Sequence, residues 1–152
     1  MKNVEFYGII ADMIQTPRFQ QMKRYRHHVR SNAYDHSLKV AYLCYRHHKR
    51  YGGRIPIEEL VRGALLHDYY LYDCHAPHRD YRKHLLRHPL VALKNAVRDH
   101  PTLTAAQRDM IRHHMFPLSL LHPPRTAAGW LVCFYDKVAA VSDRFGTRRK
   151  GE

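Results

Sequence analysis

The chain contains no apolar run approaching the ~20 residues needed to cross a bilayer. Its start, Met1 to Gln15, carries Glu5 and Asp12 where a signal peptide would have an unbroken apolar stretch and a small-residue cleavage site. Paired cysteines are missing too. Cys44, Cys74 and Cys133 stand apart with no C-x-x-C, which excludes a disulfide scaffold and a thiolate zinc site and predicts a thiol-reducing setting, the cytoplasm. There is no strand-like alternation, no repeat at solenoid period and no low-complexity linker, so the expectation is one all-α domain over residues 1–152. Within it, 1–26 should form N-terminal helices, 27–145 the core and 146–152 a basic tail. Acidic residues are scarce, 13 against 26 Lys and Arg, and the formal charge of +13 favours an anionic partner. A small phosphorylated molecule meets that need. Nucleic acid also would, but no basic tract beyond the tail and no aromatic-basic recognition motif supports it.

What is present is helical periodicity. Val4 to Ile14 reads as an amphipathic helix ended before Pro17, followed by a short one from Arg18 to Arg26. Ser31 to Arg50 repeats Leu38, Ala41, Tyr42 and Tyr45 at helical spacing, with His36, Val40 and Leu43 as a second inward line, and Gly52-Gly53 ends it. Pro56 suits the first turn of the next helix, whose rows Leu60-Ala64-His67 and Val61-Leu65-Asp68 carry a His-Asp pair onto buried stripes. A Tyr-, Asp-, His- and Pro-rich loop follows as far as Asp80. The spacing then predicts a helix over Pro89 to Asp99 with His88 at its cap, and a capping box at Thr104–Gln107 starting a helix to His113-His114. Thr126 should cap the last helix. In it Val132, Asp136, Ala139 and Asp143 form one row, and Trp130, Phe134, Val138 and Val141 form an apolar one.

Histidine is abundant, with 14 residues. Several sit in solvated company, as in Arg46-His47-His48-Lys49-Arg50, so the number alone decides nothing. Placement is more specific. His36, His67-Asp68, His88, His113-His114 and Asp136 each fall at an end or on an inward row of a different predicted helix. Imidazole with carboxylate and no thiolate suits Fe, Mn, Co, Ni or Zn, with Mg also compatible, and disfavours a structural Cys-type zinc.

These residues and their settings resemble the HD-domain superfamily of metal-dependent phosphohydrolases, named for its His-Asp pair. The resemblance rests on Tyr34-Asp35-His36-Ser37-Leu38-Lys39-Val40-Ala41, on Gly63-Ala64-Leu65-Leu66-His67-Asp68 and on Asp136-Lys137. More narrowly, His67 to Asp73, His88-Pro89 to Asn95-Ala96 and His113 to Leu118 resemble a branch of small stand-alone bacterial HD proteins. It implies an all-α bundle with the site among its central helices, and His36, His67, Asp68 and Asp136 as ligands of a first divalent ion. For a second ion it implies a bridging Asp68 completed by His88 and by one of His113 and His114. It further implies a phosphoester or phosphoanhydride of a nucleotide or related metabolite as substrate, cleaved by a metal-bound hydroxide with Asp68 as its orienter. Cyclic-dinucleotide cleavage fits less well, because Met115-Phe116-Pro117 stands where that group has a G-Y-P-type signature.

His28 matches a histidine of the narrower branch, as an outer ligand, a proton donor or a phosphate contact. Lys94, Asn95, Arg125 and Lys137 are candidates to hold substrate phosphate, against the ordinary reading of solvated or ion-paired side chains. Tyrosines around the loop, such as Tyr69, Tyr70, Tyr72 and Tyr81, are more simply core than pocket. Two other classes use the same features: a di-iron oxygenase of the same fold, and a binding module holding nucleotide or nucleic acid without turnover.

Overall fold

The computed structural model describes residues 3–28, 31–77 and 80–145, except for the side chains of His27, His28 and Phe145. Helix α1 (Val4–Ile14) is capped by the Asn3 carboxamide, which accepts the Phe6 N–H, and buries Phe6, Ile10 and Met13 along one stripe. Thr16 caps α2 (Pro17–Gln21), where Pro17 occupies the first turn and lacks only an N–H that would be unpaired there anyway. The expected helix to Arg26 stops sooner. A 3-10 turn over Met22–Arg24 leads into a two-stranded antiparallel ribbon, β1 (Arg26–His28) against β2 (Ser31–Asn32). Strands of three and two residues are too short to display alternation, which is why none was legible.

Asn32 closes the ribbon and caps α3 (Ala33–Tyr51), its side chain accepting the Asp35 N–H at 2.8 Å. The inward face of α3 runs through Ala33, His36, Ser37, Val40, Ala41, Cys44 and Tyr45, so it centres on the His36-Val40 line; Tyr42 stays partly exposed. Gly52 ends the helix at φ 73°, the left-handed region that a side chain would strain. Helix α4 (Ile57–Leu65) buries Leu60, Val61, Ala64 and Leu65, and Gly63 lets α6 approach closely, because a Cβ there would meet Met110.

Helix α5 (Tyr81–Asp99) corrects the expected start at His88-Pro89. Asp80 accepts the N–H groups of Arg82 and Lys83 and starts the helix two turns earlier, leaving Pro89 inside it. Proline in the interior removes one ladder bond and crowds the preceding turn. That cost is offset here because His84, His88, Pro89, Ala92 and Ala96 form the buried face. His88 is accordingly a mid-helix residue, not a cap.

Helix α6 (Ala105–His113) has both bonds of the Thr104–Gln107 capping box. Helix α7 (Ala127–Phe145) begins at Thr126, whose hydroxyl accepts the Gly129 N–H at 2.9 Å. Its Val132, Cys133, Asp136 and Ala139 turn inward, whereas Trp130, Phe134, Val138 and Val141 line its exposed side. The α3 helix packs on α4 and α7, and α6 packs on α4, α5 and α7, so these helix pairings converge on the middle of the bundle. No helix of the described residues is long and apolar enough to cross a membrane.

The α6–α7 junction leaves little room. A Cβ on Gly129 would overlap the Asp109 carboxylate and stand 3.1 Å from Pro124. Gly129→Ala is expected to lower the thermal midpoint by about 5 °C or more despite its better helix propensity. A midpoint at or above that of the native chain would contradict the packing described.

Candidate metal centre

Four imidazoles are oriented by the same device, a bond from Nδ1 that leaves Nε2 facing the centre of the bundle. His67 ends the turn after α4, where its Nδ1 lies 2.8 Å from the Ala64 carbonyl. On α5, the His88 Nδ1 is 3.0 Å from the His84 carbonyl, and beyond α6 the His114 Nδ1 is 2.9 Å from that of Ile111. His36 differs, its Nδ1 lying 3.2 Å from the Asp143 carboxylate on α7. Carbonyl and carboxylate oxygens only accept, so each Nδ1 carries a proton, and a ring that is neutral then presents a bare Nε2 lone pair inward. The His36 Nε2 also faces the Asp136 carboxylate and would present its lone pair once a cation displaces its second proton.

Asp68 sits between two pairs of these rings. Its Oδ2 is 3.5 Å from His67 Nε2 and 3.9 Å from His36 Nε2, while its Oδ1 is 3.2 Å from His88 Nε2 and 3.4 Å from His114 Nε2. The tight turn that follows α4 presents it this way, with the Tyr70 N–H bonded to the Asp68 carbonyl. Asn95 then holds the outgoing chain, its Nδ2 donating to the carbonyls of Tyr69 and Tyr70. Asp136 closes the first side, with Oδ1 3.0 Å from His36 Nε2 and 3.6 Å from His67 Nε2. All six side chains are buried.

Electrostatics separates the two sides. Burial by itself depresses the His36 imidazole, but its bonds to Asp136 and Asp143 outweigh this and raise it to about 9. Burial pushes His114 down to about 4, against the pull of Asp68. Burial would raise Asp136, yet the imidazoles of His36 and His67 and the Lys137 ammonium hold its carboxyl well below the usual range.

Divalent cations fit this arrangement. His67 Nε2 is buried without a hydrogen-bond partner among the described residues. His88 and His114 bring their Nε2 atoms within 2.9 Å of one another, where two lone pairs would repel unless a proton or cation lies between them. Among the described residues two groups of potential ligands lie close enough to hold an ion, His36-His67-Asp68 and Asp68-His88-His114. A protein-family model of the HD domain matches residues 33–141, well over half of the chain and inclusive of all six residues. The chain belongs to the HD-domain family. No curated protein and no solved structure matches it.

Within this HD domain the remaining candidates divide. His113 turns away from the centre, its Nδ1 2.7 Å from Asp109, so that of the adjacent pair only His114 reaches Asp68. Lys137 donates to Asp136 Oδ2 at 3.1 Å and to the main-chain carbonyl of His114, tying α7 to the turn after α6. Asn95 is engaged in the scaffold. Lys94 is exposed, and Arg125 is exposed with its main-chain N–H committed to Asp109. The His28 side chain lies outside the described residues. Tyr69 and Tyr70 are core residues, 1% exposed, whereas Tyr81 is 40% exposed.

Sequence reasoning assigned no role to Asp143 or His84. Asp143 lies seven residues after Asp136 on one helical row, and His84 lies one turn before His88, with its Nδ1 2.7 Å from the Tyr72 hydroxyl and its ring stacked on His88. Helical spacing was the available signal for both.

Proposed function

We propose that this HD-domain protein is a metal-dependent phosphohydrolase cleaving a phosphoester or phosphoanhydride, with a nucleotide or related phosphorylated metabolite as substrate. His36, His67, Asp68 and Asp136 would hold one divalent ion, and Asp68, His88 and His114 a second. The observation that carries this reading is Asp68, whose two carboxylate oxygens face separate histidine pairs, as a bridging ligand's would. Divalent ions held there would supply Lewis acidity toward phosphoryl oxygens and an acidified water. The chain's own residues orient the site. Asp68 aligns the two halves, Lys137 restrains Asp136 through its outer oxygen, and Asn95 fixes the turn that presents the pair. A net charge of +13 supports an anionic substrate. Three cysteines, all free and buried, support a reducing compartment, the cytoplasm.

The test is phosphate release from a panel of nucleoside mono-, di- and triphosphates and simple phosphomonoesters and diesters. The protein would be loaded in turn with Fe, Mn, Co, Ni, Zn or Mg. Turnover that disappears with chelator and returns with one of these ions is expected. An iron-loaded protein that consumes oxygen and releases no phosphate from any member would overturn the proposal in favour of oxidative chemistry.

A further inference from the structure

The four imidazoles of the centre are not supported alike. His67, His88 and His114 each lean on a neutral main-chain carbonyl three or four residues back in their own chain segment. His36 leans on a full carboxylate from another helix. Both of its ring nitrogens are bracketed from α7, Nε2 by Asp136 Oδ1 at 3.0 Å and Nδ1 by Asp143 Oδ2 at 3.2 Å. The seven-residue step between the two aspartates is two helical turns, about 10 Å, which lets them stand on either side of one ring.

Asp143 is itself held. Lys39, three residues beyond His36 on α3, donates to Asp143 Oδ1 at 2.6 Å and to the Ser142 hydroxyl at 2.5 Å. The carboxylate is mostly covered, with 11% of its side chain exposed. One oxygen therefore serves the ring and the other serves the cation that anchors it. The same α3 turn thus supplies the imidazole and the residue that fixes the imidazole's partner.

We propose that Asp143, anchored by Lys39, is a positioning residue that sets His36 as an Nε2 ligand and gives the His36 half the tighter hold on a divalent cation. The inference rests on reading the cluster as a metal centre. A carboxylate behind a ligating imidazole fixes its tautomer and raises its basicity more than a neutral carbonyl does. Carboxylates are also unevenly shared. Asp68, Asp136 and Asp143 surround the His36-His67 half, whereas the His88-His114 half has Asp68 within reach. Cation binding should consequently occur in two steps, the tight step belonging to His36.

The experiment is a calorimetric and visible-absorption titration of the metal-free full chain with Co²⁺. It compares the native protein with Asp143→Asn, Asp143→Ala, Asp143→Glu, Lys39→Met and His36→Ala. Asp143→Ala and Asp143→Asn are expected to weaken the tight equivalent by about 10–100-fold and leave the weak one within twofold. Lys39→Met should cause a smaller loss, and Asp143→Glu a partial recovery. Nitrogen-15 spectra of the metal-free protein should show the His36 Nδ1–H signal displaced in Asp143→Asn, a change that a general loss of stability would not produce. Unaltered tight binding and an unaltered His36 signal in Asp143→Asn, with His36→Ala losing the ion, would overturn the role of Asp143 while leaving the metal centre standing. Tight binding kept by His36→Ala would instead overturn the metal reading. Should Asp143→Ala fail to fold, the isosteric Asp143→Asn and Lys39→Met, which leaves the Asp143 carboxylate in place, decide the question.

Discussion

Asp68→Ala is expected to lose cation binding in both halves of the centre at once and to lower turnover by at least about a thousandfold, a change of about 4 kcal/mol in the barrier. The size follows from position. Each other member of the cluster faces one half, but Asp68 offers one oxygen to His36 and His67 and the other to His88 and His114. Removing it leaves two separate histidine pairs with a gap between them. Asp68→Asn keeps the shape and one neutral acceptor, so it should fold like the native chain and still lose most of its bound metal. Metal content after dialysis and phosphate release, measured on the same preparations, check the prediction. An Asp68→Ala protein retaining both would show that this carboxylate does not hold the cations. His88→Ala, by contrast, should strip one equivalent and leave the other.

The second large effect is structural and lies outside the cluster. Asp109 on α6 is buried and accepts hydrogen bonds from the main-chain N–H groups of Arg125 and Thr126 and from the Thr126 hydroxyl, and it pairs with His113. It therefore fastens the start of α7 to α6, and through α7 it sets where Asp136 and Asp143 stand along their helix. Asp109→Ala would leave several donors without partners at a buried junction. Each such group costs about 1–3 kcal/mol, so a total near 3 kcal/mol, or a fall of about 10 °C in the thermal midpoint, is expected. A shift below about 2 °C would show that the junction is held by other contacts.

This aspartate also predicts a pH dependence. Burial would raise its carboxyl, but the bonds from Thr126, His113 and the Arg125 main chain more than offset burial and hold it below the ordinary value. The folded state thus binds this proton more weakly than the unfolded chain does. Its stabilisation is present in full above the ordinary carboxylate range and is lost as pH falls from about 4 toward the depressed folded value. The difference in thermal midpoint between the native chain and Asp109→Asn should narrow on acidification through that window. A difference that stays constant or widens there would be inconsistent with a depressed Asp109.

Much of the architecture was legible because its signals are local. Thr104 and Thr126 announce helix starts through side chains that satisfy the first free N–H groups, and Gly52 announces a stop through a backbone conformation that other residues resist. The types of the metal-binding candidates were legible in the same way, since each falls at an end or on an inward row of an expected helix. Less local features were not. His88 was expected at a cap because a proline follows it, yet Asp80 starts the helix earlier and buried contacts carry it through Pro89. The outer row of α7, Trp130, Phe134, Val138 and Val141, is as apolar as a core stripe and is nonetheless exposed, because α3 and α6 pack against the other side of that helix.

The amino-acid sequence by itself therefore determined the helix order, the caps at Thr104 and Thr126 and the supply of imidazole and carboxylate to the middle of the bundle. Tertiary structure alone decided which atoms meet. Adjacent helical residues point about 100° apart. Whether His113 or His114 faces Asp68 thus depends on where α6 ends against α7, a contact made across the fold. The same is true of Asp143, which shares a row with Asp136 but becomes a partner of His36 only when α3 and α7 lie side by side. Spacing along one helix states a direction; the packing of two helices states a distance, and the chemistry of a metal centre depends on distance.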